Sequence, residues 1–158
     1  MIYADYNGSA PLHPKVNEYL VKRIPEGPYA NPNAIHSMGR KMNFGMEKCR
    51  MVCAKALGAQ ANQVSFNSGA SEGIAHIFHS VLADRKDGKN IIVASGIEHS
   101  AVVNACKYYS ENRGFKTITL NTLASGVIDL DQYKNLMQEH KDKVALVAIM
   151  AANNETGV

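Results

Sequence analysis

The chain predicts an α/β fold, a mostly parallel sheet with helices on both faces. Short apolar runs alternate with stretches of helical period. Long connections, not two-residue hairpin turns, separate the runs. Gly, Asn and Asp punctuate the joints. Strands joined through helices need crossover connections, and crossovers give parallel pairing covered on both sides.

Taken in order, Pro14 suits the first turn of a helix on which Val16, Tyr19, Leu20 and Ile24 recur at helical spacing before Pro25 ends it. A loop rich in Pro, Gly and Asn follows from Glu26 to Ser37. On a second helix Met42, Met46, Cys49, Cys53 and Leu57 form one apolar stripe, and Gly58 supplies the stop. Val64-Ser65-Phe66 predicts a short strand, with a turn over Asn67–Ser71. The next helix carries Ile74, Ile77, Phe78, Val81 and Leu82 on one face. After Asp87-Gly88, Asn90–Ala94 reads as a buried strand. A helix from about Ser100 to Asn112 stops at Gly114, and Phe115–Leu120 alternates like a strand. Asp129 caps a helix with Leu130, Tyr133, Leu136 and Met137 inward, and Val144–Met150 is the last strand.

Composition narrows the function classes. With 158 residues, 46% apolar and 20% charged, the chain is an ordinary globular sequence of one domain's length. The net charge of +3 is modest, and Lys15, Lys22, Arg40, Lys55, Lys89 and Lys116 are scattered, which argues against a nucleic-acid partner. No apolar run approaches the ~20 residues that span a bilayer, and no secretory signal opens the chain. The expectation is a cytoplasmic protein with no membrane partner. Cys49, Cys53 and Cys106 make no disulfide framework and are expected to pack in the core. His76 and His79 share a helix as metal ligands or as flank residues; the expectation is no metal site. The end at Asn153–Val158, straight after a strand, is expected to reflect truncation, cleavage or a split gene.

In such sheets ligands bind beyond the carboxyl ends of the strands. The first loop there offers Gly69, Ala70 and Ser71, with free amides and a hydroxyl at a helix start that suits a phosphate. The same residues also serve a reading in which Ser71 is only a helix cap. In the second loop His99 can stack on a flat ring or move protons, or cap its helix. In the third, Asn153 and Asn154 can orient a polar ligand or satisfy the loop's own backbone. Together the three loops point to an anionic-cofactor site without naming the cofactor.

Five segments carry a resemblance. Tyr3–Pro11 resembles the opening of the NifS/IscS-like cysteine desulfurases. Asn31-Pro32-Asn33-Ala34-Ile35-His36-Ser37-Met38-Gly39-Arg40 is similar to that family's most distinctive segment. Ser68-Gly69-Ala70-Ser71-Glu72, Glu98-His99-Ser100-Ala101-Val102 and Asn153-Asn154-Glu155-Thr156-Gly157-Val158 resemble three further motifs, all in order. Asn7-Gly8-Ser9-Ala10 departs from the usual opening, Ser71 replaces a threonine, and Gly73 and Ala151 depart from the commoner residues.

The resemblance implies the incomplete large domain of a fold-type I pyridoxal 5'-phosphate enzyme of the class V aminotransferase group. Residues 1–13 would form an arm, and residues 14–158 a partial cofactor-binding domain that stops before the Schiff-base lysine region. By the same analogy Gly69, Ala70 and Ser71 hold the cofactor phosphate. His99 stacks on the ring and acts in catalysis, and Asn153 bonds near the ring's phenolic oxygen. The implied reaction takes sulfur from L-cysteine as an enzyme persulfide and leaves L-alanine. The implied assembly is a homodimer serving a sulfur-acceptor or scaffold protein in iron–sulfur cluster assembly. The family's lysine, its acidic partner, the mobile-loop cysteine and the substrate-binding arginine fall outside these residues, so the chain alone is expected to be inactive. The alternatives are another class V aminotransferase, a selenocysteine lyase, or a non-catalytic truncated paralogue acting as a binding module.

Overall fold

The computed structural model describes residues 2–27, 29–85 and 87–158. Met1, at the head of the expected arm, and Pro28, inside the expected loop, lie outside them. The chain divides into two compact units, residues 1–66 and 67–158.

In the first unit, α1 (Pro14–Glu26) starts from His13, whose side chain accepts from the Lys15 amide. Pro14 stands at the first helical position, where its missing N–H costs nothing. The helix runs one residue past Pro25, to Glu26. α2 (Ser37–Leu57) starts from His36, which accepts from the Gly39 amide at 3.2 Å. It ends as expected at Gly58, in the left-handed conformation with φ 65°.

Two expectations fail in this unit. α1 buries no residue and α2 buries only Gly39 and Ala54; Cys49 is exposed and Cys53 half-buried rather than packed in a core. Helical period identifies the apolar face, not whether anything covers it. Val64–Phe66 is not a strand. Val64 has extended backbone, φ −109° and ψ 124°, but no described segment pairs with it, and a strand exists only through a neighbour's hydrogen bonds.

The second unit carries the sheet. Its elements are α3 (Ala70–Leu82), β1 (Ile91–Ser95), α4 (Ser100–Asn112), β2 (Lys116–Leu120), α5 (Leu130–His140) and β3 (Val144–Ala148). The strand order is β2-β1-β3 and both pairings are parallel. The connection from β1 to β2 through α4 steps one way across the sheet. The connection from β2 to β3 through α5 steps back over β1. Crossovers of one hand taken in opposite directions place their helices on opposite faces.

The cores follow that rule. Ile92 and Ala94 point to one face and pack with Phe78 and Leu82 of α3 and Val102, Cys106 and Tyr109 of α4. Ile91 and Val93 point to the other and pack with Leu120, Val144 and Leu136 of α5. All five β1 residues are therefore buried, as a continuous apolar run in a central strand requires. Each fully buried Leu or Ile contributes about 1.5–3 kcal/mol. The sequence-predicted Ile77 and Leu130 are exposed instead; Ile77 lies at the margin of its helix face and Leu130 at the first position of α5, beyond the sheet's cover. β3 ends at Ala148, short of the expected Met150, because the Met150 amide leaves the ladder for a side chain.

The cysteines give a direct test of this packing. Burial pushes the Cys106 thiol above its usual pKa, and the thiolate is the reactive form. Under native conditions a water-soluble disulfide reagent is expected to modify Cys49 first and Cys53 next. Cys106 should react slower by about two orders of magnitude or more, limited by opening of the core. Mass mapping of the labelled peptides reads the order; early labelling of Cys106 would contradict the packing.

Candidate functional site

The carboxyl ends of β1 and β3 and the start of α3 lie together in the second unit. The start of α3 is open to an anion. Its cap residue, Gly69, has no side chain to give, and its backbone lies at φ 156° and ψ 177°, which L side chains rarely adopt. Asn67 Oδ1 takes the Gly69 amide at 2.9 Å. Glu72 folds back to accept from the Ser68 amide at 2.8 Å and from its hydroxyl. Those bonds, the hydroxyl's first, hold the Glu72 carboxyl below its ordinary pKa.

The capping groups thus serve residues 68 and 69. Among the described residues none accepts from the amides of Ala70 or Ser71, or from the Ser71 hydroxyl. Ser71 stands one position inside the helix and is not its cap, which removes the plain capping alternative. Two amides and a hydroxyl at the positive end of a helix are a donor set that fits a phosphate.

His99 caps α4. Its Nδ1 accepts from the Ala101 amide at 3.1 Å, so the neutral ring carries its proton on Nε2. The ring is exposed, with its orientation set by the cap. Capping and a role toward a ligand are therefore compatible, since one nitrogen does each.

Asn153 is buried, with 7% of its surface exposed. Its Nδ2 donates to the Ile97 carbonyl at 2.9 Å. Its Oδ1 accepts from the Glu155 and Thr156 amides at 2.9 and 2.8 Å and from the Thr156 hydroxyl at 3.1 Å. The side chain ties the loop after β3 to the loop after β1.

A cavity of about 450 Å³ opens among these elements, lined by Ala70 and Ile74 of α3, by Glu98 and His99, and by Leu146–Met150 along and just past β3. Its walls are mostly apolar, as suits a flat ring. Ser71 faces a neighbouring groove of about 600 Å³ between α3 and α4, with Ser100 and Asn104. The structure therefore brings Ala70 and His99 to one cavity and sets Ser71 beside it. Gly69 shapes the helix start, and Asn153 braces the far loop without lining the cavity.

Sequence reasoning missed Glu98 as a site residue. Half-buried, its Oε1 accepts from the Ser95 hydroxyl at 2.6 Å and from the Met150 amide at 2.8 Å. The available signal was a carboxylate three residues after a buried serine that closes a buried strand.

The Asn31–Arg40 segment lies in the first unit and has local work. Asn31 Oδ1 accepts from the Asn33 amide at 2.9 Å, His36 caps α2, and Arg40 donates to the Ile35 carbonyl. Gly39 is buried so close to the Ala34 carbonyl that a Cβ would collide with it. Among the described residues, no three of His, Cys, Asp or Glu gather to hold a metal ion, and no helix is long and apolar enough to cross a membrane.

Comparison with known proteins adds to this geometry. The family model described as aminotransferase class-V matches residues 2–158. Cysteine desulfurase IscS of Rickettsia typhi is 34% identical over 99% of this chain and 37% of its own length. Among solved structures, a NifS-like protein superposes with a TM-score of 0.83 at 35% identity, over 98% of this chain and 41% of that one. A structure described as SspA in complex with cysteine gives a TM-score of 0.82 at 28% identity, over 98% and 43%. The chain thus spans about two fifths of the length of the relatives it matches.

Proposed function

The chain belongs to the class-V aminotransferase family, and from that premise we propose that it forms the phosphate-and-ring cradle of a pyridoxal 5'-phosphate-dependent cysteine desulfurase. One observation carries the reading. Among the described residues the capping groups at the start of α3 serve residues 68 and 69, which leaves the Ala70 and Ser71 amides without an acceptor beside the cavity that His99 walls. The cysteine desulfurase and NifS-like relatives, matched over nearly the whole of this chain, supply the reaction class.

In this reading residues 14–158 belong to the cofactor-binding domain and residues 1–13 to an arm. The Ala70 and Ser71 amides and the Ser71 hydroxyl hold the phosphate, and Gly69 keeps the approach clear. The cofactor, when bound, supplies an electron sink for bond cleavage at an amino acid. His99 flanks the ring and offers Nε2 as the atom that holds or moves a proton, while its Nδ1 stays on the Ala101 amide. Asn153, braced on Ile97, presents the loop beside the ring's hydroxyl side. The apolar walls exclude water and strengthen polar interactions within. L-cysteine as substrate is supported by the relative solved with cysteine; a homodimer and a sulfur-acceptor protein complete the proposal.

The test is product analysis. A full-length enzyme carrying this segment, given pyridoxal 5'-phosphate and a thiol, is expected to release alanine and sulfide from L-cysteine, and residues 1–158 alone to release none. Amino-group transfer to a 2-oxo acid, or turnover of selenocysteine only, would contradict the desulfurase assignment.

A further inference from the structure

Ile97 and Glu98 are each held by the residues that follow β3, one through its backbone carbonyl and the other through its side chain. Asn153 Nδ2 donates to the Ile97 carbonyl at 2.9 Å, and Glu98 Oε1 accepts from the Met150 amide at 2.8 Å. These ties span 56 and 52 residues of sequence and, with the pairing of β1 to β3, hold one loop against the other. The same Glu98 oxygen accepts from Ser95 Oγ at 2.6 Å, and Ser95 is buried, with 4% of its surface exposed. A buried hydroxyl and a strand-end amide that has left its ladder both depend on this one oxygen. His99 follows Glu98 directly in the chain, and both line the same cavity.

We propose that Glu98 is a positioning residue that sets the spacing between His99, on the loop after β1, and Met150, just past β3, and thereby the width of the cavity that both line. The inference rests on the cofactor-cradle reading for its consequence in binding, and on geometry alone for the coupling of the two loops. Both of its bonds need an acceptor oxygen and not a negative charge. A glutamine can supply that oxygen, whereas an alanine leaves the Ser95 hydroxyl and the Met150 amide without an acceptor.

The experiment compares the wild-type chain with Glu98→Ala and Glu98→Gln by amide hydrogen exchange and by titration with pyridoxal 5'-phosphate. In Glu98→Ala, exchange is expected to rise about tenfold or more across residues 96–99 and 149–157, with Ile92 and Val93 unchanged. Glu98→Gln is expected to exchange like wild type. Pyridoxal 5'-phosphate should bind Glu98→Ala about tenfold more weakly and Glu98→Gln within about twofold of wild type. The proposal is overturned if only residues 96–99 respond, if exchange rises equally throughout the chain, if glutamine behaves as alanine does, or if Glu98→Ala binds as tightly as wild type. Failure of the wild-type chain to bind would defeat the cradle reading, while the exchange data would still decide whether Glu98 couples the loops.

Discussion

Replacing Asn153 with leucine is expected to destabilise the second unit by roughly 2–4 kcal/mol. Leucine keeps the branched shape, with somewhat more bulk, and removes every polar contact. The Ile97 carbonyl loses its donor, and the Glu155 and Thr156 amides and the Thr156 hydroxyl lose their shared acceptor. A buried group left unsatisfied costs about 1–3 kcal/mol, while those at the rim recover water and cost less. Asn153→Asp separates the two halves of the side chain. It retains an acceptor for the loop amides but sets an oxygen against the Ile97 carbonyl, so it should fall between wild type and Asn153→Leu. Urea unfolding followed by far-ultraviolet circular dichroism measures all three. A leucine variant within about 0.5 kcal/mol of wild type, the ordinary range for a surface substitution, would mean that Asn153 does not brace the loops.

Ser71→Asp is expected to act on stability and binding with opposite signs. A carboxylate in the first turn of α3 interacts favourably with the helix dipole, worth about 0.3–1 kcal/mol, so thermal stability should hold or rise. The same carboxylate stands where a phosphate dianion would sit. It removes a hydroxyl donor worth about 1.5–3 kcal/mol to a charged acceptor and adds about 1 kcal/mol of like-charge repulsion. Affinity for pyridoxal 5'-phosphate should then fall about a hundredfold or more, since each 1.4 kcal/mol is tenfold. Pyridoxal, which lacks the phosphate, should bind both proteins equally. The combination separates a lost site from a lost fold, because a folding defect would weaken both ligands and lower the melting temperature. Equal affinity of wild type and variant for the phosphorylated ligand would remove Ser71 from the site.

Much of the sheet was legible in the sequence because its signals are local. Continuous apolar runs marked β1 and β3, the 3.6-residue period marked α3 and α4, and Asp129 announced α5, where it accepts from the Asp131 and Gln132 amides. The misses are of one physical kind. Val64–Phe66 has the composition of a strand, but pairing is a property of two segments. Cys49 lies on an apolar stripe, but burial is a property of whatever covers the stripe. The starts of α1 and α4 fall where Pro14 and Ser100 placed them, but the caps of α1, α2 and α4 are all histidines, a residue type outside the usual Ser, Thr, Asp and Asn.

The candidate site divides along the same line. Gly69, Ala70 and Ser71 could be nominated because a glycine and a hydroxyl at the start of a helix state their chemistry in consecutive residues. His99 was legible as a ring at the mouth of the sheet, though not that its Nδ1 is already engaged. Glu98 was hidden, since a carboxylate in a loop ordinarily faces solvent; its meaning comes from an amide 52 residues away.

The central claim is that the phosphate of pyridoxal 5'-phosphate is received by the first amides of α3. The most direct measurement is a ¹H–¹⁵N correlation titration of the chain with pyridoxal 5'-phosphate, repeated with pyridoxal. Saturable downfield shifts are expected, largest at Ala70 and Ser71 and present only with the phosphorylated ligand. Shifts centred elsewhere, or equal at Ala70 and Ser71 for the two ligands, would contradict it.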